Sequence, residues 1–447
     1  MEQRRSTLGP GFLWGVSTAS YQIEGSITAD GRGKSIWDSF CETPGRVKNG
    51  DSGEIACDSY RRWPEDIELL RELGVGAYRF SIAWPRVQPS GSGKPNQAGL
   101  DYYKRLADAV RAAGIEPWAA LYHWDLPQTL EDAGGWPARD TALRFAEYAS
   151  LCFEALGGSI RNWATFNEPW CSAFLGYGSG EHAPGKRDRA KAYAATHHLL
   201  LAHGLALRAF REGDAKGSIG IVINPAKPRP ATARAEDQEA SERASVERTG
   251  LWLEPLFKGA YPEEHLRDHG VRMPIEAGDM ALISAPIDYL GVNYYNEDAV
   301  QAVQKSAAHP EGFAYVPTWQ PKTAMGWDVE PEGLTRILKF MADGWPIKAM
   351  YVTENGAAYE DALGADGRIH DAQRIEYYQG HVAAIERAVA AGVPLKGYFA
   401  WTLMDNFEWA HGYDKRFGLV AVDRATGKRV KKDSYYYYRD AVAGYRP

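Results

Sequence analysis

The sequence predicts an α/β fold, a single (β/α)8 TIM barrel spanning residues 1–447 with long loops on its C-terminal rim. Three observations predict it. Short runs rich in β-branched and aromatic residues recur eight times along the chain. Helix-like stretches separate them, and strand followed by helix, repeated, implies parallel strands. Such a barrel takes about 250 residues, so 447 residues leave a large surplus for loops.

The first run is Leu13–Thr18. Aromatic residues mark the next three, Gly76–Ile82, Glu116–Tyr122 and Asn162–Asn167. Val and Ile dominate Ser218–Asn224 and recur in Ile287–Asn293. Ala349–Glu354 and Lys396–Thr402 complete the set. Between them lie helical patterns at Trp63–Leu73, Leu100–Ala113, Ala142–Leu156, Ala190–Glu212, Glu332–Asp343 and Asp371–Ala391. The Tyr435–Tyr438 run reads as a terminal helix packing alternate faces. Pro225–Arg248, rich in Ala, Arg, Glu and Pro, reads as a helix whose charges face solvent. Gln301–Trp327, with several prolines and no clear period, reads as a long loop. No internal repeat and no linker divides the chain.

Composition excludes several function classes. The net charge is 51 − 58 = −7, against a phosphate-backbone binder, which needs a basic face. No run of 18 apolar residues exists to span a membrane. Met1–Pro10 lacks the apolar core of a signal segment, since Gly9, Pro10 and Gly11 interrupt it. The four cysteines, Cys41, Cys57, Cys152 and Cys171, form no Cys-x-x-Cys pair. They read as free thiols, and the expected location is the cytoplasm. Aromatic residues make up 12% of the chain, a composition suited to flat-faced ligands such as sugars.

The barrel frame places the C-terminal end of every strand at one mouth. Those ends read Arg79 with Ser81, His123 with Trp124 and Asp125, Asn167 with Glu168, Asn293 with Tyr295, Glu354 with Asn355, and Trp401. Taken singly, Glu168 and Glu354 read as surface or ion-paired residues. Together, on the fourth and seventh strands, they can face one another across the mouth. Two carboxylates flanking a bond are what glycoside hydrolysis needs: one protonated to release the leaving oxygen, the other ionised to attack carbon or activate water.

The motifs are specific. Phe12–Gly25, His123-Trp-Asp-Leu-Pro127, Thr165-Phe-Asn-Glu-Pro169, Asn293-Tyr-Tyr295, Thr353-Glu-Asn-Gly356 and Trp401–Trp409 together make the chain resemble glycoside hydrolase family 1, the β-glucosidase family. The likeness runs from Phe12 to about Tyr438. It implies a retaining β-glycosidase acting on β-glucosides and short β-linked oligosaccharides by double displacement, without cofactor or metal. By resemblance Glu168 is the acid/base and Glu354 the nucleophile. Arg79 and Tyr295 would hold Glu354 ionised, and Asn167 would bond the sugar 2-hydroxyl. Gln22, His123, Trp124, Asn293, Glu408, Trp409 and Phe417 would complete the glycone pocket, with Trp401 under the ring. Glu408 would accept bonds from the 4- and 6-hydroxyls and repel a 6-phosphate. Trp327 and Trp170 would wall the aglycone side.

Other signals are weaker. His197, His198 and His203 sit on an apolar helical stretch and read as satisfied histidines. Gly74-Val75-Gly76 lacks the third glycine of a dinucleotide fingerprint. Lys428–Lys432 reads as a solvated loop. A transglycosylase shares every catalytic residue, and a sugar-binding barrel would keep the aromatic platform while losing a carboxylate. Neither nucleic acid nor membrane is an expected partner, and the sequence leaves the oligomeric state open.

Overall fold

The computed structural model describes residues 8–9, 11–306 and 308–445. Most of Met1–Pro10, where the absence of a signal segment was expected, lies outside them. Eight parallel strands close a barrel: β1 Leu13–Ser17, β2 Ala77–Ser81, β3 Glu116–Tyr122, β4 Asn162–Asn167, β5 Ser218–Ile223, β6 Tyr289–Asn293, β7 Met350–Asn355 and β8 Leu395–Trp401. Each pairs with its neighbours in chain order. β8 returns to β1 in a register running from Leu13 opposite Gly397 to Ser17 opposite Trp401. All eight strands fall where the sequence reading placed them, with ends differing by at most two residues.

Side chains fill the barrel in layers. At the lower end Ala77, Trp118, Tyr289 and Phe399 form a buried cluster with Leu13, Ala349 and Tyr351 against it. The Trp118 ring meets Tyr351 at 4.7 Å and Tyr289 at 5.2 Å, both edge-on. Small residues on alternate strands make room for these rings. A Cβ on Gly15 would lie 2.3 Å from the Phe399 ring. Above them Ala120, Ala164 and Val222 form a narrower layer, and polar residues take over at the mouth.

The helical layer includes Ser59–Leu73, Gln97–Ala112, Arg139–Leu156, Arg189–Glu212, Pro331–Gly344 and Ala372–Ala390. Pro331–Gly344 buries one apolar stripe, Leu334, Ile337, Leu338 and Met341, whereas Arg189–Glu212 is buried all round between Ala195 and Leu207. The terminal helix Asp433–Gly444 packs as expected. Tyr438 Oη donates to the Gly15 carbonyl at 2.7 Å and Tyr435 Oη to that of Leu69 at 2.7 Å. No helix among the described residues is long and apolar enough to cross a membrane.

Three local expectations change. Lys428–Lys432 is not a solvated loop: Arg429–Lys431 pairs with Val420–Val422, and Lys432 is fully buried. Its ammonium bonds Asp361 at 2.5 Å and Asp405 at 2.8 Å, so two carboxylates replace water. Within Pro225–Arg248, the helix Ala235–Ser245 turns Glu236, Glu239 and Glu242 to solvent as expected but buries one of its charges, Asp237. Asp237, Ala240, Ser241 and Ala244 are buried, and Arg229–Pro230 forms a strand. Gln301–Trp327 is partly structured. Phe313–Val316 pairs antiparallel with Ala299–Ala302, which in turn pairs with Arg229–Pro230.

Candidate active site

A cavity of about 500 Å³ opens at the C-terminal ends of the strands. Glu168 and Glu354 both line it, as do His123, Trp124, Asn293, Tyr295, Trp327, Trp401, Glu408, Trp409 and Phe417. The sequence reading thus brings these residues, together with Trp170, to one cavity wall. Arg79, Asn167 and Gln22 lie outside that lining and hold residues that form it.

Glu354 ends β7. Arg79 Nη1 reaches its Oε1 at 2.7 Å, and Tyr295 Oη donates to its Oε2 at 2.6 Å. Arg79 also donates through Nη2 to Asn167 Oδ1 at 2.7 Å. Glu168 follows β4 in a left-handed backbone conformation, φ 44°, which costs a non-glycine residue free energy and recurs at functional sites. Its partners are neutral. Asn293 Nδ2 donates to Oε1 at 2.7 Å, and the Cys171 thiol to Oε2 at 3.1 Å.

Burial acts in the same direction on the two carboxyls, and their partners oppose it differently. It raises Glu168, against which the Asn293 and Cys171 bonds are the main opposing contacts. Burial also raises Glu354, to about 7, although Arg79 and Tyr295 pull it down and the Glu168 charge pushes it up. Arg79 pairs with Glu354 and lowers it, as the sequence suggests, but desolvation outweighs that contribution. The two titrate as a pair. Glu354, holding the guanidinium and the phenol, gives up its proton first, and Glu168 retains the one that remains.

The rest of the pocket is polar above and aromatic below. His123 Nε2 lies 3.0 Å from Asn167 Nδ2, a donor, so Nε2 accepts and Nδ1 carries the hydrogen. Burial and the Arg79 charge keep this imidazole neutral. Its Nδ1 and Gln22 Oε1 are buried without a protein partner. Gln22 Nε2 donates to Asn406 Oδ1 at 3.0 Å, the Phe407 carbonyl at 2.8 Å and Glu408 Oε2 at 3.4 Å. Burial and then the charges of Glu354 and Glu168 push Glu408 up to about 8. Trp401 and Trp409 stack near-parallel to His123, each at 5.9 Å. Trp124 Nε1 donates to the Asn167 carbonyl at 2.9 Å. Behind Glu354, a Cβ on Gly356 would stand 1.8 Å from the Trp401 carbonyl oxygen, so only glycine fits there.

On the outer side the cavity is walled by Trp170, Leu175, Met325, Trp327 and Arg248. The Arg248 guanidinium lies 4.7 Å from the Trp170 ring centre. Cys171 and Arg248 escaped the sequence reading. Cys171 follows Glu168 by three residues, one helical turn, and that spacing was a usable signal. Arg248 carried none, because it reaches the cavity from a short helical turn, Val246–Gly250, well after β5. His197, His198 and His203 bond within the protein as expected, for example His197 Nε2 with Asp279 at 2.9 Å.

Known proteins resemble this chain in sequence and fold. The sequence model described as Glycosyl hydrolase family 1 matches residues 4–445. Beta-glucosidase A of Thermotoga maritima is 49% identical over 434 residues, 97% of each chain. The 1,4-beta-D-glucan glucohydrolase of Thermotoga neapolitana is 47% identical, again over 97% of each. The solved structure of the T. maritima β-glucosidase in complex with glucoimidazole superposes with a TM-score of 0.94 at 47% identity, covering 98% of this chain and 99% of that one. The likeness extends through every strand that shapes the cavity, and the chain belongs to glycosyl hydrolase family 1.

Proposed function

We propose that this chain is a retaining β-glucosidase that releases terminal non-reducing β-D-glucosyl residues from β-glucosides and short β-linked oligosaccharides. One observation carries the reading. Two buried carboxyls share a cavity, one bonded by a cation and a phenol, the other by an amide and a thiol only. Paired groups with different environments divide acid and base roles.

Glu354, ionised, attacks the anomeric carbon while Glu168 delivers its proton to the departing glycosidic oxygen. The C–O bond breaks with its electrons on the aglycone, and a glycosyl ester forms on Glu354. Esterification removes the negative charge beside Glu168, so its carboxyl falls in pKa; in the second step it takes a proton from a water whose oxygen bonds the anomeric carbon, while the ester bond breaks with its electrons returning to Glu354. Tyr295 follows the electron density on Glu354 Oε2. The glycone sits on Trp401, with His123 Nδ1–H, Gln22 Oε1 and Glu408 meeting its hydroxyls, and Asn167 beside the 2-hydroxyl. Trp124, Trp409 and Phe417 close the sides, and Trp327 with Trp170 flanks the aglycone. The ligands that this polar, aromatic pocket suits are small sugar-like molecules. We also read residues 1–447 as one catalytic domain, since β1 and β8, near its two ends, complete the barrel. The four unpaired thiols support a reducing cytoplasmic location.

The test is Glu354→Ala on an aryl β-glucoside. Turnover should fall to background, and azide should restore it with an α-glycosyl product. Retention of more than a few per cent of activity without azide would overturn the assignment.

A further inference from the structure

Outside the catalytic cavity, the helix Glu263–Asp268 ends in His265-Leu-Arg-Asp-His269. The i, i+4 spacing puts both imidazoles on one face, with ring centres 4.5 Å apart. Glu311, from the segment between Ala299–Ala302 and Phe313–Val316, inserts Oε1 between them, 2.7 Å from His265 Nδ1 and 2.9 Å from His269 Nε2. Glu247 approaches from the end of the helix Ala235–Ser245. It offers an oxygen within 4.8 Å of ligand nitrogens on both histidines. We propose that His265, His269, Glu311 and Glu247 form a binding site for one divalent transition-metal ion of the zinc class.

Three features support this beyond the clustering. First, His265 is buried, and its Nδ1 makes no in-line hydrogen bond despite its closeness to Glu311. Its other nitrogen, Nε2, lies 3.0 Å from Tyr193 Oη. A metal-binding histidine donates its second N–H to just such a partner, which leaves the first nitrogen's lone pair for the ion. Second, His269 Nε2 stands between an acceptor, Glu311 at 2.9 Å, and a donor, Arg189 Nη2 at 3.2 Å. One neutral tautomer satisfies only one of them, whereas a bound cation satisfies both the imidazole lone pair and the carboxylate. Third, the cluster adjoins a cavity of about 280 Å³ lined by Arg189, Glu247, His269, His309, Glu311 and Tyr315, among others, which gives an ion and its water access.

The donor set selects the metal. Two imidazoles and two carboxylates suit zinc, nickel or copper and discriminate against magnesium and calcium, which take all-oxygen shells. A tetrahedral zinc keeps its ligand atoms about 3.4 Å apart, so Glu247 closes inward on binding. Arg189, now 3.0 Å from Glu247, has a half-exposed side chain and swings into solvent as the ion enters. The bound ion ties the Glu311 segment to the helix Glu263–Asp268 and fixes Glu247, whose neighbour Arg248 lines the catalytic cavity.

The experiment uses the full chain, stripped with EDTA and desalted, and titrated calorimetrically with zinc chloride and then with nickel chloride. One saturable equivalent of each is expected, with no heat from magnesium or calcium. Zinc should raise the melting temperature of the parent but not of a His265→Gln, His269→Gln double variant, which should lose saturable binding while keeping aryl-glucosidase turnover in EDTA. Glu247→Gln, at the rim of the cluster, should weaken zinc tenfold or more. X-ray absorption on the zinc-loaded parent should show two imidazoles in the first shell, a readout that needs no variant. The proposal is overturned by no saturable zinc in the parent, by binding undiminished in both variants, or by an oxygen-only shell.

Discussion

Asn293 donates to Glu168 Oε1 at 2.7 Å while its own carbonyl accepts from Thr353 Oγ1 at 2.7 Å. Thr353 immediately precedes Glu354, so one amide on β6 sets the acid/base relative to the nucleophile's strand. Asn293 also stabilises the ionised form of Glu168, and its loss raises that carboxyl further. Asn293→Ala should lower kcat about 10–100-fold, the worth of a hydrogen bond to a charged group. The alkaline limb of kcat/KM should move to higher pH, because Glu168 then keeps its proton longer. A limb that stays put or moves down would refute this coupling.

Glu168→Ala separates the two chemical steps. A dinitrophenolate departs without a proton, whereas the alkoxide from cellobiose does not. Cellobiose turnover should fall by roughly 10²–10⁴-fold, while dinitrophenyl glucoside gives an initial burst and the glycosyl-enzyme accumulates. Azide, needing no deprotonation, should release it as the β-azide, in contrast to the α-product from Glu354→Ala. Proton NMR of the adducts decides; the same anomer from both variants would sink the division of roles.

Glu408 gives a pH-dependent specificity. With its carboxyl pushed up to about 8, it is neutral below that pH and charged above it. Exclusion of a 6-phosphoglucoside by like charge should therefore strengthen as pH rises. The ratio of kcat/KM for plain over phosphorylated substrate should increase through about pH 8 and flatten in Glu408→Gln. A ratio independent of pH in the parent would show that shape alone excludes the phosphate.

Lys432 tests the packing beneath the rim. It and Arg374 pair with Asp361, Asp371 and Asp405 in a nearly dry cluster. Lys432→Met leaves that group with an extra uncompensated negative charge. The expected loss is about 3–5 kcal/mol, read as a lower guanidinium midpoint; an unchanged midpoint would contradict the buried pairing.

The eight strands were legible because each combines β-branched or aromatic residues with a polar residue at one end, a pattern that is local. His123, Glu168 and Glu354 were legible as polar strand ends of the barrel, whereas Gln22 and Glu408 were legible only as motifs, since their contact joins distant parts of the chain. Lys432 was misread because burial of a lysine depends on Asp361 and Asp405 meeting it in space. The strands Arg229–Pro230, Ala299–Ala302 and Phe313–Val316 have two to four residues each. That is too short for any periodicity to emerge.

The pairing of β1 with β8 bears on how the protein is made. Gln22 bonds Asn406 across 384 residues of sequence, and Tyr438 caps the first strand through Gly15. During synthesis β1 emerges early and waits with one edge unpaired until nearly the whole chain has followed. An unpaired strand edge invites intermolecular pairing, and long-range parallel closure is slow. A ribosome-stalled chain released at residue 390 should therefore be inactive and prone to aggregate, and catalytic competence should appear abruptly as the last 50 or so residues clear the exit tunnel. Slowing translation early in the message should then help little, because the hazard ends only when the final strand and its tyrosine-bearing helix arrive.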